Sequence, residues 1–285
     1  MTAQSAQVTL ARRTSFRIGG RAERYYTPRT EEALGLLLEE LAARGERPFI
    51  LGGGTNVLFP DEDFPRPIIS TECLEGLEVS GRLVRAQCGV RLGSLLQAAI
   101  RHGLGGLEGF TGIPGTAGGA VVMNAGGGGW NFGDGVREIG VFPITGGPMI
   151  RVRGSEVEWG YRRTSLQGFV VAWVSLELEP DDSGRLRERA GAFMRRKLQT
   201  QPLGESSAGC VFRNPPGHAA ARLIEELGLK GLSVGGAKVS ERHANFIVNS
   251  TGKARASDVL SLVDHLRSRV ARAFGIHLET EIVLA

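Results

Sequence analysis

A chain of 285 residues with 41% hydrophobic and 22% charged side chains has the composition of a globular protein, one large domain or two to three small ones. No apolar run approaches the ~20 residues that span a bilayer, and residues 1–13 lack the apolar stretch of a signal peptide, so the chain is expected to be cytoplasmic with no membrane partner. The net charge of +4 comes from scattered arginines, with lysine only at Lys197, Lys230, Lys238 and Lys253; this argues against nucleic acid and suits an anionic small molecule, while Cys73, Cys88 and Cys210, odd in number and without a CxxC pair, suggest neither a disulfide framework nor a metal site.

Residues 1–13 read as a loose terminus, and 15–28 as an extended segment broken at Gly19-Gly20. A helix is expected over 30–44. Thr30 caps it, Glu31 and Glu32 occupy its first turn, Leu34, Leu37, Leu38 and Leu41 follow helical spacing, and Gly45 ends it. A strand at 48–51 leads into Gly52-Gly53-Gly54-Thr55-Asn56. A hairpin over 77–86 turns at Ser80-Gly81, and 92–102 is a helix with Leu92, Leu95, Leu96, Ala99 and Ile100 inward. Residues 139–142 and 149–152 flank Thr145-Gly146-Gly147 as a second hairpin, and 169–178 is a strongly β-prone run. The polar turn 181–184 marks a boundary. Beyond it come a basic helix at 186–199, a helix at 218–227, a strand within 239–248, and a helix at 257–274 with Val259, Leu262, Val263, Leu266 and Val270 on one face. A last strand at 277–284 puts Leu278, Thr280, Ile282 and Leu284 on one face, and Glu279, Glu281 and Val283 on the other.

Residues 103–131, GLGGLEGFTGIPGTAGGAVVMNAGGGGWN, form a dense glycine run whose only charged side chain is Glu108. Glycine permits positive φ and close approach of a ligand to the backbone, and successive N–H groups in such turns form anion-binding nests. With the 52–56 cluster, this suggests a long phosphate-bearing ligand held mainly by backbone. No G-x-G-x-x-G occurs, and Gly54 does not open a P-loop.

GGGTNVLF followed by GLEGFTGIPGTAGGAVVMNAG resembles the UDP-N-acetylenolpyruvoylglucosamine reductase family, and the resemblance runs from about residue 14 to the end. It implies an α+β fold: an FAD-binding domain of the PCMH/vanillyl-alcohol-oxidase-like type over 14–182, with two α/β subdomains split near 70. A smaller α+β substrate-binding domain follows over 183–285, its last strand returning to the FAD domain. It also implies non-covalent FAD, NADPH as co-substrate, and UDP-N-acetylglucosamine enolpyruvate as the compound reduced to UDP-N-acetylmuramate for peptidoglycan, by a monomer. The implied FAD residues are Gly52, Gly53, Gly54, Thr55, Asn56, Gly112, Ile113, Pro114, Gly115, Gly118, Gly119, Asn124, Ala125 and Gly126. Few residues separate Tyr161 from the 169 strand, which places the chain in the shorter branch, without the Tyr-bearing insertion.

Departures from the family pattern fall at informative places. Arg13 stands where Asn is usual in the opening motif. In the YRxS motif Arg162 is present but Thr164 replaces Ser; the resemblance makes Arg162 the enolate-stabilising cation and Tyr161 a substrate contact, where the dipeptide alone reads as a surface ion pair. In SAGCVFRNP, Cys210 occupies the place of the family's proton-donating Ser; a cysteine's reference pKa of about 8.5 keeps it protonated at neutral pH, although most lone cysteines are packing residues. Glu281 matches the last glutamate of LEPE, here LETE, and is assigned to work with Arg162 around the reacting double bond. Asn214 and Lys230 are candidate UDP-sugar contacts, and His243 reads as structural. The rival readings are an FAD-dependent sugar or lactone oxidase of the same binding fold, and a non-enzymatic UDP-sugar-binding module. For the oxidase the only first-half histidine, His102, lies outside both glycine clusters.

Overall fold

The β-branched run VVAWV forms the middle of an antiparallel five-stranded sheet in a computed structural model that describes residues 6–285. Its strand, Phe169–Glu177, lies between Val136–Pro143 and Leu83–Gln87, with Ile150–Arg153 and Leu77–Ser80 at the edges. Residues 170–174 are all buried, as befits a strand covered on both faces. The edges carry Arg151, Arg153 and Glu78, charges that discourage further pairing. Both hairpins read from the sequence are present.

Among the described residues the chain divides into two compact units, each discontinuous in sequence. The first holds Ala6, Arg24–Gly53 and Arg66–Arg196; the second holds Gln7–Glu23, Gly54–Pro65 and Lys197–Ala285. The expected segments 14–182 and 183–285 are contiguous; these units interleave.

In the first unit, helix α1 (Glu31–Ala43) begins where Thr30 accepts a hydrogen bond from the Ala33 N–H at 3.1 Å, and it buries Leu34, Leu37, Leu38 and Leu41. It leads to Phe49–Leu51, which pairs in parallel with Ile68–Ser70, which in turn pairs in parallel at Tyr25 and Tyr26. Helix α2 (Leu92–Arg101) buries the five residues expected of it. Helix α3 (Ala117–Val122) lies inside the glycine run, where the sequence suggests only loop. Helix α4 (Ser183–Thr200) belongs to this unit through residue 196: Leu186 is in its core, and Arg189 pairs with Asp181 and with Glu108, the one charge of the glycine run.

In the second unit an antiparallel sheet runs Ser207–Cys210, Phe246–Asn249, Ala237–Val239, Ser233–Val234. Helix α5 (Ala220–Glu226) and helix α6 (Ala256–Phe274) pack into its core, α6 through the five residues that its spacing picks out, and Gly275 ends α6 at φ 68°. The early segments are tied in by specific bonds. The Ser15 hydroxyl donates to the Ser207 carbonyl at 2.7 Å, and Val57–Leu58 pairs in parallel with Val283–Leu284. Asp61 accepts from the Ala256 N–H (2.6 Å), the Ser257 N–H (3.1 Å) and the Ser257 hydroxyl (3.0 Å), capping α6 from 195 residues away.

Two expectations are corrected. Of the loose terminus expected over 1–13, residues 1–5 lie outside the described residues, but Ala6–Thr9 is a strand, Leu10–Arg12 is a 3-10 turn, and Leu10 is fully buried. The last strand is also shorter than its alternation suggests. Only Val283–Leu284 pairs as a strand and Leu284 is exposed, because residues 279–281 bond elsewhere, to 211–213.

Burial opposes ionisation of Asp61, but the hydrogen bonds from Ala256 and Ser257 outweigh it and Arg255 adds to them, so its pKa lies below the ordinary carboxyl value. A depressed pKa contributes stability that is complete above the unfolded-state value near about 4 and is lost as pH falls through the folded one. Asp61→Ala is therefore expected to cost about 1 kcal/mol at pH 7, with the gap to the parent narrowing by pH 3; urea unfolding at the two pH values measures it.

Candidate active site

In the first unit the start of the upstream glycine cluster meets the downstream run. A Cβ on Gly53 would lie 3.2 Å from the Gly115 Cα, and one on Gly52 would lie 2.7 Å from the Thr116 Oγ1. Gly112 and Gly115 take φ of 73° and 133°, which L side chains rarely adopt. Thr116, not singled out in the sequence, is buried, and its hydroxyl has no partner within the described residues. Such a group is costly unless something bonds it. Close backbones, positive φ and an unsatisfied buried hydroxyl are what a backbone-held phosphate ligand needs, so these residues fit the pyrophosphate of a dinucleotide such as FAD.

Not every glycine of the run serves that purpose. A Cβ on Gly118 would lie 2.7 Å from the Cys88 Cβ, and the Gly118 and Ala117 N–H groups donate to the Cys88 and Val90 carbonyls at 2.9 and 2.8 Å. Gly118 is thus required by packing. Cys88 is inert, since burial pushes its thiol up to about 12. Gly119, by contrast, would meet only Thr116 Oγ1, at 3.7 Å. Ile113 is half-buried and Pro114 exposed; Ala125 accepts from the Phe132 N–H at 2.7 Å.

Arg162 sits in the two-residue turn of a hairpin, Trp159–Gly160 with Arg163–Thr164, beside the exposed Tyr161. Its φ of 56° is a strained conformation for a non-glycine residue. The guanidinium lies 5.0 Å from the Tyr161 ring and donates to the Gly126 carbonyl at 3.3 Å. A Cβ on Gly126 would come 2.7 Å from Arg162 Nη1, so this glycine makes room for the arginine. Thr164 keeps the motif's hydroxyl and uses it locally: it is buried and donates to the Val122 carbonyl at 3.2 Å. Asn124, expected as a cofactor contact, is buried at φ 39°. Its carboxamide donates to the Gly160 carbonyl (3.0 Å) and accepts from the Gly133 N–H (3.1 Å), binding the glycine run to the Arg162 hairpin.

The second unit brings Cys210 and Glu281 onto neighbouring segments. Ser207 pairs with Val248 and Cys210 with Phe246, so that Ala208 and Gly209 stand opposite Ile247 alone, and Gly209 has φ 79°. A bulge of this kind switches the strand's facing. Ala208 points into the core and Cys210 is half-buried, while Val211 and Phe212 are buried next to it. That facing distinguishes Cys210 from the packing cysteine Cys88. The half-buried Glu281 donates its N–H to the Val211 carbonyl at 2.8 Å, and its own carbonyl accepts from the Asn56 side chain at 3.2 Å. Arg213 N–H donates to the Glu279 carbonyl at 2.9 Å. Gly54, at φ 62°, packs against the Arg13 carbonyl. Thr55 is half-buried beside it.

Asn214 is exposed and its carbonyl oxygen accepts from the Ala220 N–H at 3.0 Å, at the start of α5. Lys230 is ion-paired with Glu225 at 2.5 Å. Burial and the Lys230 charge push the His243 pKa down, and its Nδ1 accepts the Asn245 N–H at 3.3 Å. His102 lies at the end of α2 with Nδ1 2.9 Å from the Ala98 carbonyl, and it belongs to neither glycine cluster. Among the described residues no group of acidic, histidine and cysteine side chains could hold a metal ion, and no helix is long and apolar enough to cross a membrane.

Two family models match the chain: an FAD binding domain over residues 22–146, and the C-terminal domain of UDP-N-acetylenolpyruvoylglucosamine reductase over 201–285. UDP-N-acetylenolpyruvoylglucosamine reductase of Moorella thermoacetica is 44% identical over 274 residues, covering 96% of this chain and 90% of that protein. The chain belongs to the UDP-N-acetylenolpyruvoylglucosamine reductase family. The reductase of Alkalilimnicola ehrlichii is likewise 44% identical, over 96% of this chain and 91% of its own. The crystal structure of the Thermus caldophilus reductase superposes with a TM-score of 0.86 at 36% identity, covering 99% of both chains. The α+β fold with an FAD-binding domain is that of the reductase family.

Gly118 is crowded by Cys88 while Gly119 has room for a Cβ, so the two substitutions distinguish packing from the expected cofactor contact. Gly118→Ala is expected to lower stability by about 1–3 kcal/mol through overpacking. Gly119→Ala should leave the apoprotein's melting temperature unchanged or slightly raised and weaken FAD at least about tenfold, an effect of ~1.4 kcal/mol. Thermal melts of apoprotein and a flavin-fluorescence titration test the pair.

Proposed function

We propose that the protein reduces UDP-N-acetylglucosamine enolpyruvate to UDP-N-acetylmuramate with NADPH and bound FAD, a step of peptidoglycan precursor synthesis. Membership in the reductase family supports the activity. The observation that carries the residue assignment is the bulge at Gly209, which turns Cys210 out of the core alongside the segment bearing Glu281. The protein is taken to act as a monomer in the cytoplasm; among the described residues no helix is long and apolar enough to cross a membrane.

On this reading the first unit serves as the FAD-binding domain, where Gly52, Gly53, Gly112 and Gly115 would admit the pyrophosphate to the backbone and the Thr116 hydroxyl would be a bonding partner for it. The chemistry that bound FAD supplies is hydride transfer, taken from NADPH in one half-reaction and given to the vinyl methylene carbon in the other. Hydride addition there leaves negative charge on the adjacent carbon and its carboxylate. Arg162 stabilises that enolate-like charge and Glu281 works with it. Cys210 gives its Sγ proton to the adjacent carbon, so that one hydride and one proton saturate the double bond. Tyr161, Asn214 and Lys230 orient the UDP-sugar.

A positioned general acid contributes about 10²–10⁴-fold. Cys210→Ala is expected to lose that factor in single-turnover oxidation of the reduced enzyme by the enolpyruvyl substrate, while reduction by NADPH stays normal. Cys210→Ser should restore much of the rate. Parent-like turnover by Cys210→Ala would remove Cys210 from the mechanism. Glu281→Gln should also slow only the substrate half-reaction, and equal slowing of both half-reactions would contradict its assignment.

A further inference from the structure

The regular ladder between Ser207–Cys210 and Phe246–Asn249 stops at the Cys210–Phe246 pair. Beyond it a side chain replaces the missing strand. Asn245, 3% exposed, accepts the Phe212 N–H on Oδ1 at 2.9 Å and donates from Nδ2 to the Phe212 carbonyl at 2.8 Å, while its backbone carbonyl accepts the Val211 N–H at 2.8 Å. A carboxamide offers one donor and one acceptor in the geometry of a peptide group, so it continues the pairing for one more residue. On the opposite edge of the same segment, Val211 accepts from the Glu281 N–H and Phe212 bridges Thr280. The Phe212 peptide is therefore held from both sides, with Cys210 two residues before it and Glu281 on the flanking segment. His243 fixes Asn245 in turn, through its Nδ1 and an edge-on ring contact with Phe246 at 4.8 Å.

We infer that Asn245 is a positioning residue of the reduction: its carboxamide sets the register of residues 210–212, and so the placement of the Cys210 thiol relative to the Glu281 carboxylate. The inference rests on the reading of Cys210 as the acid. Neither polar neighbour suffices as a substitute. An aspartate keeps the acceptor for the Phe212 N–H but, when ionised, sets an oxygen against the Phe212 carbonyl; a glutamine keeps both groups and is one methylene too long. Either change shifts a group whose misplacement by about 1 Å costs on the order of 10²-fold in rate.

The test uses FAD-loaded Asn245→Asp, Asn245→Gln and Cys210→Ala, with the two half-reactions followed separately by flavin absorbance. For Asn245→Asp at pH 8 the expected result is about a 10²-fold fall in kcat for oxidation by the enolpyruvyl substrate. KM should stay within a few-fold of the parent, and reduction by NADPH should be unchanged. On acidification the aspartate protonates, its O–H donates to the Phe212 carbonyl, and the ratio of variant to parent rate rises, a pH profile that loss of packing alone does not produce. Asn245→Gln, folded by circular dichroism, should be slow at every pH and serves where the aspartate variant does not fold. Parent-like kcat in either folded variant, while Cys210→Ala is slow, overturns the inference and leaves Cys210 as the acid. Parent-like kcat in Cys210→Ala overturns both.

Discussion

Buried asparagine side chains standing in for backbone hold the irregular segments of each unit. Where a ladder lapses, the N–H and C=O groups it would have paired still require partners away from water, because an orphaned buried group costs about 1–3 kcal/mol. Asn124 meets that need between the glycine run and the Arg162 hairpin, Asn245 at Phe212, and Asn249 between the Phe16 carbonyl and the Ala254 N–H. Each is buried, and each both donates and accepts, Asn249 donating also to the Arg17 carbonyl at 3.5 Å. Irregular backbone is what lets the family's motifs present polar groups, and these carboxamides keep the irregularity in a single conformation.

The same logic divides the glycines. Gly53, Gly112 and Gly115 lie where backbones approach closely or φ is positive, Gly118 yields its space to Cys88, and Gly126 yields its space to Arg162. A run that reads as one ligand-binding stretch therefore carries several kinds of constraint: close backbone approach, core packing and clearance for a cation. Arg162 itself has a positive φ and donates to the carbonyl of Gly126, the residue that gives it room.

Elements were legible where local signals agreed. Thr30 with Glu31 and Glu32 marked the start of α1, the apolar stripe of α6 named its buried residues, and the β-rich run at 169 became the central strand. What escaped depended on tertiary contact. Helix α3 contains Gly118-Gly119, poor helix formers, and its first turn is fixed by the Cys88 and Val90 carbonyls. The alternation of 277–284 promised a full strand, yet 279–281 serves Val211 and Arg213. The candidate site residues rest on motif resemblance, which does not reveal that the Asn124 carboxamide bonds Gly160 and Gly133. Asn245 lies in RLIEELGLKGLSVGGAKVSERHANFIVN, which resembles the family's substrate-domain signature, but the part it plays emerges only when Phe212 is seen beside it.

Interleaving of the two units orders the events of the protein's synthesis. Phe16, Ile18 and Leu58 are made early, but they belong to the core completed by residues 208–282. Until that last third of the chain has left the ribosome, these three apolar side chains have no native cover. The contacts that finally enclose them span most of the sequence, the kind of closure that is slow to form and prone to aggregation meanwhile. The cap that Asp61 provides for α6 waits on the same event, so the second unit becomes native only once nearly the whole protein exists.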